Sequence, residues 1–97
     1  MSDKKIILYL DTLSPFSGVI QDDLKKAGVV PEVKIVNTDM DAAVEMYQLT
    51  KTNRSPVIKV VSDDHEEVLV GYSEENKKKI ESLLDITLPK TSLSKDW

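Results

Sequence analysis

Apolar residues recur along the chain with two periods, which together predict four strands and three helices. The run IILYL at residues 6–10 is continuous and too short for a helix, so it indicates a buried strand. Val33 and Ile35 alternate with polar neighbours, which is typical of a second strand. Pro56 opens a third apolar run, and a polar turn separates that run from a fourth. The predicted strands cover residues 4–10, 32–36, 57–61 and 68–70.

Three other segments have the end signals and the apolar spacing of helices. Ser14 is a good N-cap, and Pro15 suits the first turn, where its missing N–H costs nothing. Thr38 or Asp39 can cap a second helix of about ten residues, and Ser73 can cap a third. The residues expected to face inward are Phe16, Ile20, Leu24 and Ala27 in the first helix, Ala43, Met46 and Tyr47 in the second, and Ile80, Leu83 and Leu84 in the third.

In chain order the elements read β-α-β-α-β-β-α, which predicts an α/β domain around a four-stranded mixed sheet. The 97 residues suit one domain with a single core. We expect this domain to cover residues 1–85. Residues 86–97 contain Pro89 and have no apolar period, so we expect them to form a C-terminal tail on the surface.

Charge and the absence of cysteine limit the partners and the location. The net charge of −4 argues against nucleic acid, because binding to phosphates requires clustered cations. The basic run at residues 77–79 is offset by nearby glutamates and is predicted to be a solvated helix face. No apolar stretch approaches the roughly 20 residues of a membrane-spanning helix, so we expect no membrane partner. Without cysteine or a secretory leader, the expected location is cytoplasmic.

The turn after the first predicted strand carries the candidate chemistry. A strand followed by a small-Pro-aromatic-small turn that opens a helix is the layout of a thiol-disulfide redox site, which has a cysteine at each end of the turn. Here the turn is Ser14-Pro15-Phe16-Ser17. A serine hydroxyl stays protonated and cannot form a disulfide, so the chain is predicted to be redox-inactive.

Three local motifs in this order resemble the glutaredoxin branch of the thioredoxin-fold family. They are the turn at residues 14–17, the segment Arg54-Ser55-Pro56-Val57, and the segment Val70-Gly71-Tyr72-Ser73. The resemblance covers residues 4 to about 85 and implies a thioredoxin-like, three-layer fold. It also implies that Ser14 and Ser17 occupy the places of the redox cysteines. The family's proline at the place of Pro56 is cis, and it leaves the preceding backbone free to pair with a peptide or glutathione.

Two departures from the family pattern weaken the expected binding of glutathione. A lysine that commonly precedes the first cysteine is replaced by Asp11, which reverses the charge, and an acidic residue that binds the glutathione amine is replaced near Ser73. Arg54 could recover part of the lost pairing. The resemblance therefore implies weak glutathione binding at most, and the protein is expected to need no cofactor.

The serines have two explanations, deliberate replacement of both cysteines or natural loss, and the sequence leaves both open. Two functions follow from the resemblance. One is a thiol-disulfide oxidoreductase that is inactive without its sulfurs. The other is a non-catalytic module that docks a protein or peptide in a groove beside Ser55-Pro56. The residues expected to line the groove are Phe16, Arg54, Ser55, Pro56, Gly71, Tyr72 and Ser73.

Two other kinds of site are disfavoured. A nucleophilic Ser14 would need a base, and His65, the one histidine, is expected in a turn far from it. The acidic run around His65, residues 63–67, lacks a second histidine and any thiolate, so it is predicted to be a solvated turn with no metal bound.

Overall fold

The computed structural model describes residues 4–52, 54–62 and 65–88, which form four strands and three helices in the predicted order. The strands and helices alternate for the first half of the chain, and a hairpin and a last helix follow. The elements are β1 Lys5–Leu10, α1 Pro15–Lys26, β2 Glu32–Ile35, α2 Met40–Thr50, β3 Val57–Val61, β4 Glu66–Val70 and α3 Glu74–Leu84.

The strands form one mixed sheet in the order β2-β1-β3-β4. β1 pairs in parallel with β2 and antiparallel with β3, and β3 and β4 form an antiparallel hairpin. In this register Leu8 lies opposite Val33 on one side and Ile58 on the other. The C-terminal ends of β1, β2 and β4 and the N-terminal end of β3 therefore share one end of the sheet. The predicted α/β class and mixed sheet are confirmed.

Helices cover both faces of the sheet, which explains why β1 is apolar at every position after Lys5. Leu8 and Leu10 belong to a core that includes Ile20 of α1 and Ile80 of α3. Tyr9 lies on the opposite face. There the core consists of Ile7, Tyr9, Val57 and Met46 of α2. Successive side chains of a strand point to opposite faces, so a strand buried on both faces has no polar alternation.

Helix boundaries follow the caps that the sequence indicated. Asp39 caps α2 by accepting hydrogen bonds from the backbone N–H groups of Asp41 and Ala42. The inner side of α2 differs from the prediction, because Ala42 and Met46 are buried whereas Tyr47 is 55% exposed. The helix is therefore rotated relative to the expected face. No helix within the described residues is long and apolar enough to cross a bilayer.

Two boundaries extend beyond the sequence prediction. β4 begins at Glu66 rather than at residue 68, and Glu66 forms an ion pair with Lys59 across the hairpin at 3.5 Å. The packed domain continues past residue 85, because Leu88 is only 5% exposed and its N–H donates to the Glu81 carboxylate at 2.7 Å. Leu88 is thus part of the core and Ile86 packs against it, while residue 87 is exposed and residues 89–97 lie outside the described residues.

Candidate functional site

The first turn of α1 is held by Ser14, which adopts an extended backbone conformation and caps the helix as predicted. Its Oγ accepts a hydrogen bond from the N–H of Phe16 at 3.3 Å. Pro15 follows at the first helical position, where it has no N–H to leave unpaired. A hydroxyl that accepts from a helix N-terminus is an ordinary serine cap, so this serine needs no catalytic role to explain its place.

Ser17 ties the same turn to the end of β1. Its side chain is buried, and its Oγ donates a hydrogen bond to the carbonyl oxygen of Asp11 at 2.6 Å. The same carbonyl accepts from the N–H of Ser14 at 3.0 Å. Both serines of the turn therefore contact one backbone group that directly follows β1. Residues three apart in a helical turn are neighbours, so Ser14 and Ser17 lie on the same side of α1.

The loop between β1 and α1 brings an acid and an exposed apolar side chain to this end of the sheet. The Asp11 carboxylate accepts from the N–H of Leu13 at 2.8 Å, and Leu13 is largely exposed. The neighbouring Thr12 exchanges hydrogen bonds with Asn37, which connects this loop to the loop before α2. Sequence reasoning assigned no site role to Leu13 or Asn37, because no local pattern indicates that the two loops meet.

The bond between Ser55 and Pro56 is cis, as the resemblance implied. Ser55 Oγ donates to the carbonyl of Tyr9 at 3.2 Å, so this segment lies beside the C-terminal end of β1. Pro56 is buried, and its carbonyl accepts from the N–H of Gly71 at 2.8 Å. Arg54 precedes this bond with its side chain exposed.

The segment after β4 is shaped by Gly71 and by the cap of α3. Gly71 has a φ of 90°, which only glycine adopts readily. Ser73 Oγ accepts from the N–H of Asn76 at 3.2 Å, and the Asn76 side-chain amide donates to the carbonyls of Val70 and Gly71. The Ser73 hydroxyl is therefore a helix cap, as predicted.

Tyr72 corrects one expectation, because its side chain is 0% exposed and cannot line a surface groove. Its hydroxyl donates to the Asp23 carboxylate of α1 at 2.6 Å. Lys77 is 4% exposed, with its Nζ 5.6 Å from the centre of the Tyr72 ring. The basic run at residues 77–79 is consequently not uniformly solvated. Burial, then the bond to Asp23, raises the pKa of Tyr72 far above its ordinary value, so the hydroxyl keeps its proton and remains a donor.

These contacts bring the predicted segments together at one end of the sheet. Ser14 and Ser17 contact Asp11 after β1, Ser55 contacts Tyr9 near the end of β1, and Gly71 contacts Pro56 before β3. The same end receives the first turns of all three helices, because each helix begins shortly after a strand that ends there. The backbone N–H groups of three helix N-termini make this end locally electropositive, and Asp11 places a carboxylate beside the first of them.

His65 lies at the opposite end of the sheet, as predicted. Its backbone carbonyl accepts from Ser62 in the turn between β3 and β4, and its Nε2 is 3.0 Å from a Glu67 carboxylate oxygen. Because β3 is antiparallel to β1, this turn is adjacent to the start of β1 rather than to Ser14. The geometry excludes a Ser14–His65 catalytic pair. Within residues 4–52, 54–62 and 65–88, no group of side chains is arranged to hold a metal ion, and residues 63 and 64 lie outside the described residues.

The comparisons with known proteins leave this geometry to be interpreted on its own. A scan against protein-family models found no match to the chain, and a search of curated proteins found no significant relative.

Proposed function

We propose that this chain is a glutaredoxin-like domain of the thioredoxin fold, from the thiol-disulfide oxidoreductase family, and that it is redox-inactive with serine at positions 14 and 17. One observation carries the proposal. The Ser14–Ser17 turn, which opens α1, and the Ser55–Pro56 segment lie at the same end of the sheet, both anchored by hydrogen bonds to the end of β1. A cytoplasmic location belongs to this proposal.

The chemistry that this arrangement suits needs sulfur at the two serine positions. A thiolate at position 14 would attack a substrate disulfide, form a mixed disulfide and release one substrate thiolate. A second thiolate at position 17 would then attack the mixed disulfide, closing an internal disulfide and releasing the other. The N-terminus of α1 would lower the pKa of the first thiol, while the nearby Asp11 carboxylate would oppose that effect. The serine hydroxyls support the turn but cannot perform either step.

The test is to restore both sulfurs with Ser14→Cys and Ser17→Cys and to follow the reduction of insulin disulfides. Thioredoxin reductase supplies the electrons, and no glutathione is added, because a free thiol would itself reduce the mixed disulfide of a variant with a single cysteine. Sustained turnover is expected from the double variant only. A matched control with Ser14→Cys and Ser17→Ala has the attacking thiol but no resolving thiol, so it should trap the mixed disulfide. Turnover no faster in the double variant than in this control would contradict the proposal.

A second function, docking of an extended peptide, is favoured by the backbone of Ser55. Within the described residues, no hydrogen bond reaches the N–H or the C=O of Ser55, although its side chain is bound to Tyr9. An extended chain could pair with these two groups as an added strand does. Phe16, which is partly buried, and the exposed Arg54 are the side chains that we expect to contact such a peptide, whereas burial excludes the Tyr72 ring.

Peptides selected from a random displayed library on the unchanged chain would test this docking. Binding should fall at least about tenfold on Phe16→Ala, if the ring anchors the peptide as aromatic hot spots do. Val44→Ala on the exposed side of α2 serves as the control. Peptides that bind both variants equally would remove the groove from consideration.

A further inference from the structure

β2 is an outer strand of the sheet, and half of its backbone faces away from β1. The N–H of Val36 donates to the carbonyl of Leu10 at 2.8 Å, so the backbone of Val36 points toward β1. Along a strand, the N–H and C=O groups of successive residues point alternately to its two sides. The N–H and C=O groups of Val33 and Ile35 therefore point toward the open edge of the sheet.

At each end of this outward-facing row of backbone groups, one group is not available for pairing. Pro31, which directly precedes β2, has no N–H to offer. At the other end, the carbonyl of Ile35 already accepts the N–H of Asp39 at 3.0 Å. The groups still available are the N–H and C=O of Val33, the N–H of Ile35 and the C=O of Pro31.

A second copy of the strand, running antiparallel with a two-fold axis at Val33, pairs all of these groups. Each Val33 N–H would meet the Val33 C=O of the other copy, and each Ile35 N–H would meet a Pro31 C=O. Pro31 has no N–H to donate to the Ile35 C=O opposite it, but that carbonyl is already bonded to the Asp39 N–H of its own copy. No backbone group is therefore left unpaired at the contact. The pairing closes on itself and does not propagate into a fibre.

The same register places opposite charges across the axis. Glu32 would lie directly opposite Lys34 of the second copy, and this pair occurs twice. Opposite charges at such positions stabilise strand pairing, and like charges oppose it. Within one copy Glu32 is bound to Lys5 at 2.7 Å, and Lys34 to Glu45 at 2.7 Å, which holds both side chains along the strand.

On the opposite face of the strand the edge is apolar and open. Val30 is 93% exposed, and together with Val29, Pro31 and Val33 it lines a groove of about 290 Å³ beside α1. A second copy would bring its own Val33 against this groove. The other sheet edge lacks this match: an axis at Val68 of β4 would place Glu67 opposite Leu69 without a charge pair.

We propose that β2 is a self-association edge, through which two copies of this chain pair antiparallel about Val33 to form one continuous eight-stranded sheet. The proposal does not depend on the redox or peptide-docking function. Because each strand has only four residues, we expect a weak dimer with a dissociation constant in roughly the micromolar to millimolar range.

Charge reversal with complementation tests the register. Glu32→Lys alone and Lys34→Glu alone each place like charges across the axis, so self-association should weaken by about tenfold or more. An equimolar mixture of the two variants restores opposite charges at both pairs, so it should form a mixed dimer. Sedimentation analysis from about 10 µM to about 1 mM covers the expected range. The control mixture is Glu75→Lys with Lys78→Glu, on the exposed side of α3, which should stay as dimeric as the unchanged chain.

Amide hydrogen exchange on the unchanged chain tests the same contact without relying on a variant that folds. The N–H groups of Val33 and Ile35 should exchange more slowly as concentration rises, whereas that of Lys34, which faces β1, should not change. Three results would overturn the proposal: a monomer at about 1 mM, exchange at Val33 that is independent of concentration, or slowed exchange along β4 instead. Failure of the folded charge variants to form a mixed dimer would also overturn it.

Discussion

The buried hydrogen bond between Tyr72 and Asp23 should be a main support of the segment between β4 and α3. Tyr72→Phe removes one oxygen and leaves the ring in place, so it creates almost no cavity. The buried Asp23 carboxylate then loses the hydroxyl donor that lies 2.6 Å from it in the unchanged chain. A hydrogen bond to a charged group contributes about 1.5–3 kcal/mol, and we therefore expect a loss of about 2 kcal/mol in the free energy of unfolding.

The measurement is urea denaturation followed by circular dichroism, with Tyr47→Phe as the matched control. Tyr47 is 55% exposed, so the same chemical change there should alter stability by less than about 0.5 kcal/mol. In thermal unfolding, Tyr72→Phe should lower the midpoint by roughly 10 °C. A double-mutant cycle with Asp23→Ala isolates the pair: the double variant should lose less than the sum of the single losses.

Two results would refute this reasoning. If Tyr72→Phe costs no more than Tyr47→Phe, the short bond adds nothing to stability, and packing of the ring alone holds the segment. A stability loss that is additive with Asp23→Ala would lead to the same conclusion. Backbone amide shifts at Gly71 and Ser73 would show whether the site moves when the bond is lost.

Three further predictions concern other parts of the domain. Hydrogen bonds from Lys34 first, and then from Tyr9, hold the pKa of Glu45 below its ordinary value. These bonds should therefore stabilise the folded chain above about pH 4.3, and this stabilisation should be lost as the pH falls through the lowered pKa of Glu45. Glu45→Gln should flatten this pH dependence of the free energy of unfolding in urea titrations at about pH 3–7. Leu88→Ala should cost about 2–5 kcal/mol in the same assay, and a loss near zero would mean that the C-terminal segment is not part of the core. Phe16→Ala should cost clearly less than Leu88→Ala, because Phe16 is only partly buried, and an equal loss would make it a core residue rather than a contact for a peptide.

Local signals were sufficient for much of the fold. Ser14, Asp39 and Ser73 cap their helices through bonds to residues two or three positions away, and such short-range chemistry is visible in the sequence. The order of strands and helices along the chain also followed from the apolar runs. β4 was predicted two residues short, because Glu66 and Glu67 lie on an edge strand where polar side chains are tolerated.

Features that depend on distant partners could not be predicted in this way. Tyr72 follows a glycine in a motif that suggested a surface groove, yet its hydroxyl meets Asp23, which lies far away in sequence. In the sequence Lys77 is one of three consecutive lysines with no distinguishing mark, but in the structure it is buried beside the Tyr72 ring. Tyr47 has the spacing of a core residue, but the rotation of α2 is set by the contacts of Met46 with β1 and β3.

The strand order has a consequence for how the chain folds. β1 and β2 belong to one half of the sequence, β3 and β4 to the other, and within the described residues the pairing of β1 with β3 joins the two halves of the sheet. Residues that pair between β1 and β2 are 25 positions apart in sequence, and those that pair between β3 and β4 are at most 13 apart. Lys5, by contrast, pairs with Val61, which is 56 positions away. Because closing the longest loop carries the largest entropy cost, this pairing should limit the folding rate. Substitutions at Ile58, which lies opposite Leu8, should then slow folding more than equally destabilising changes in α2.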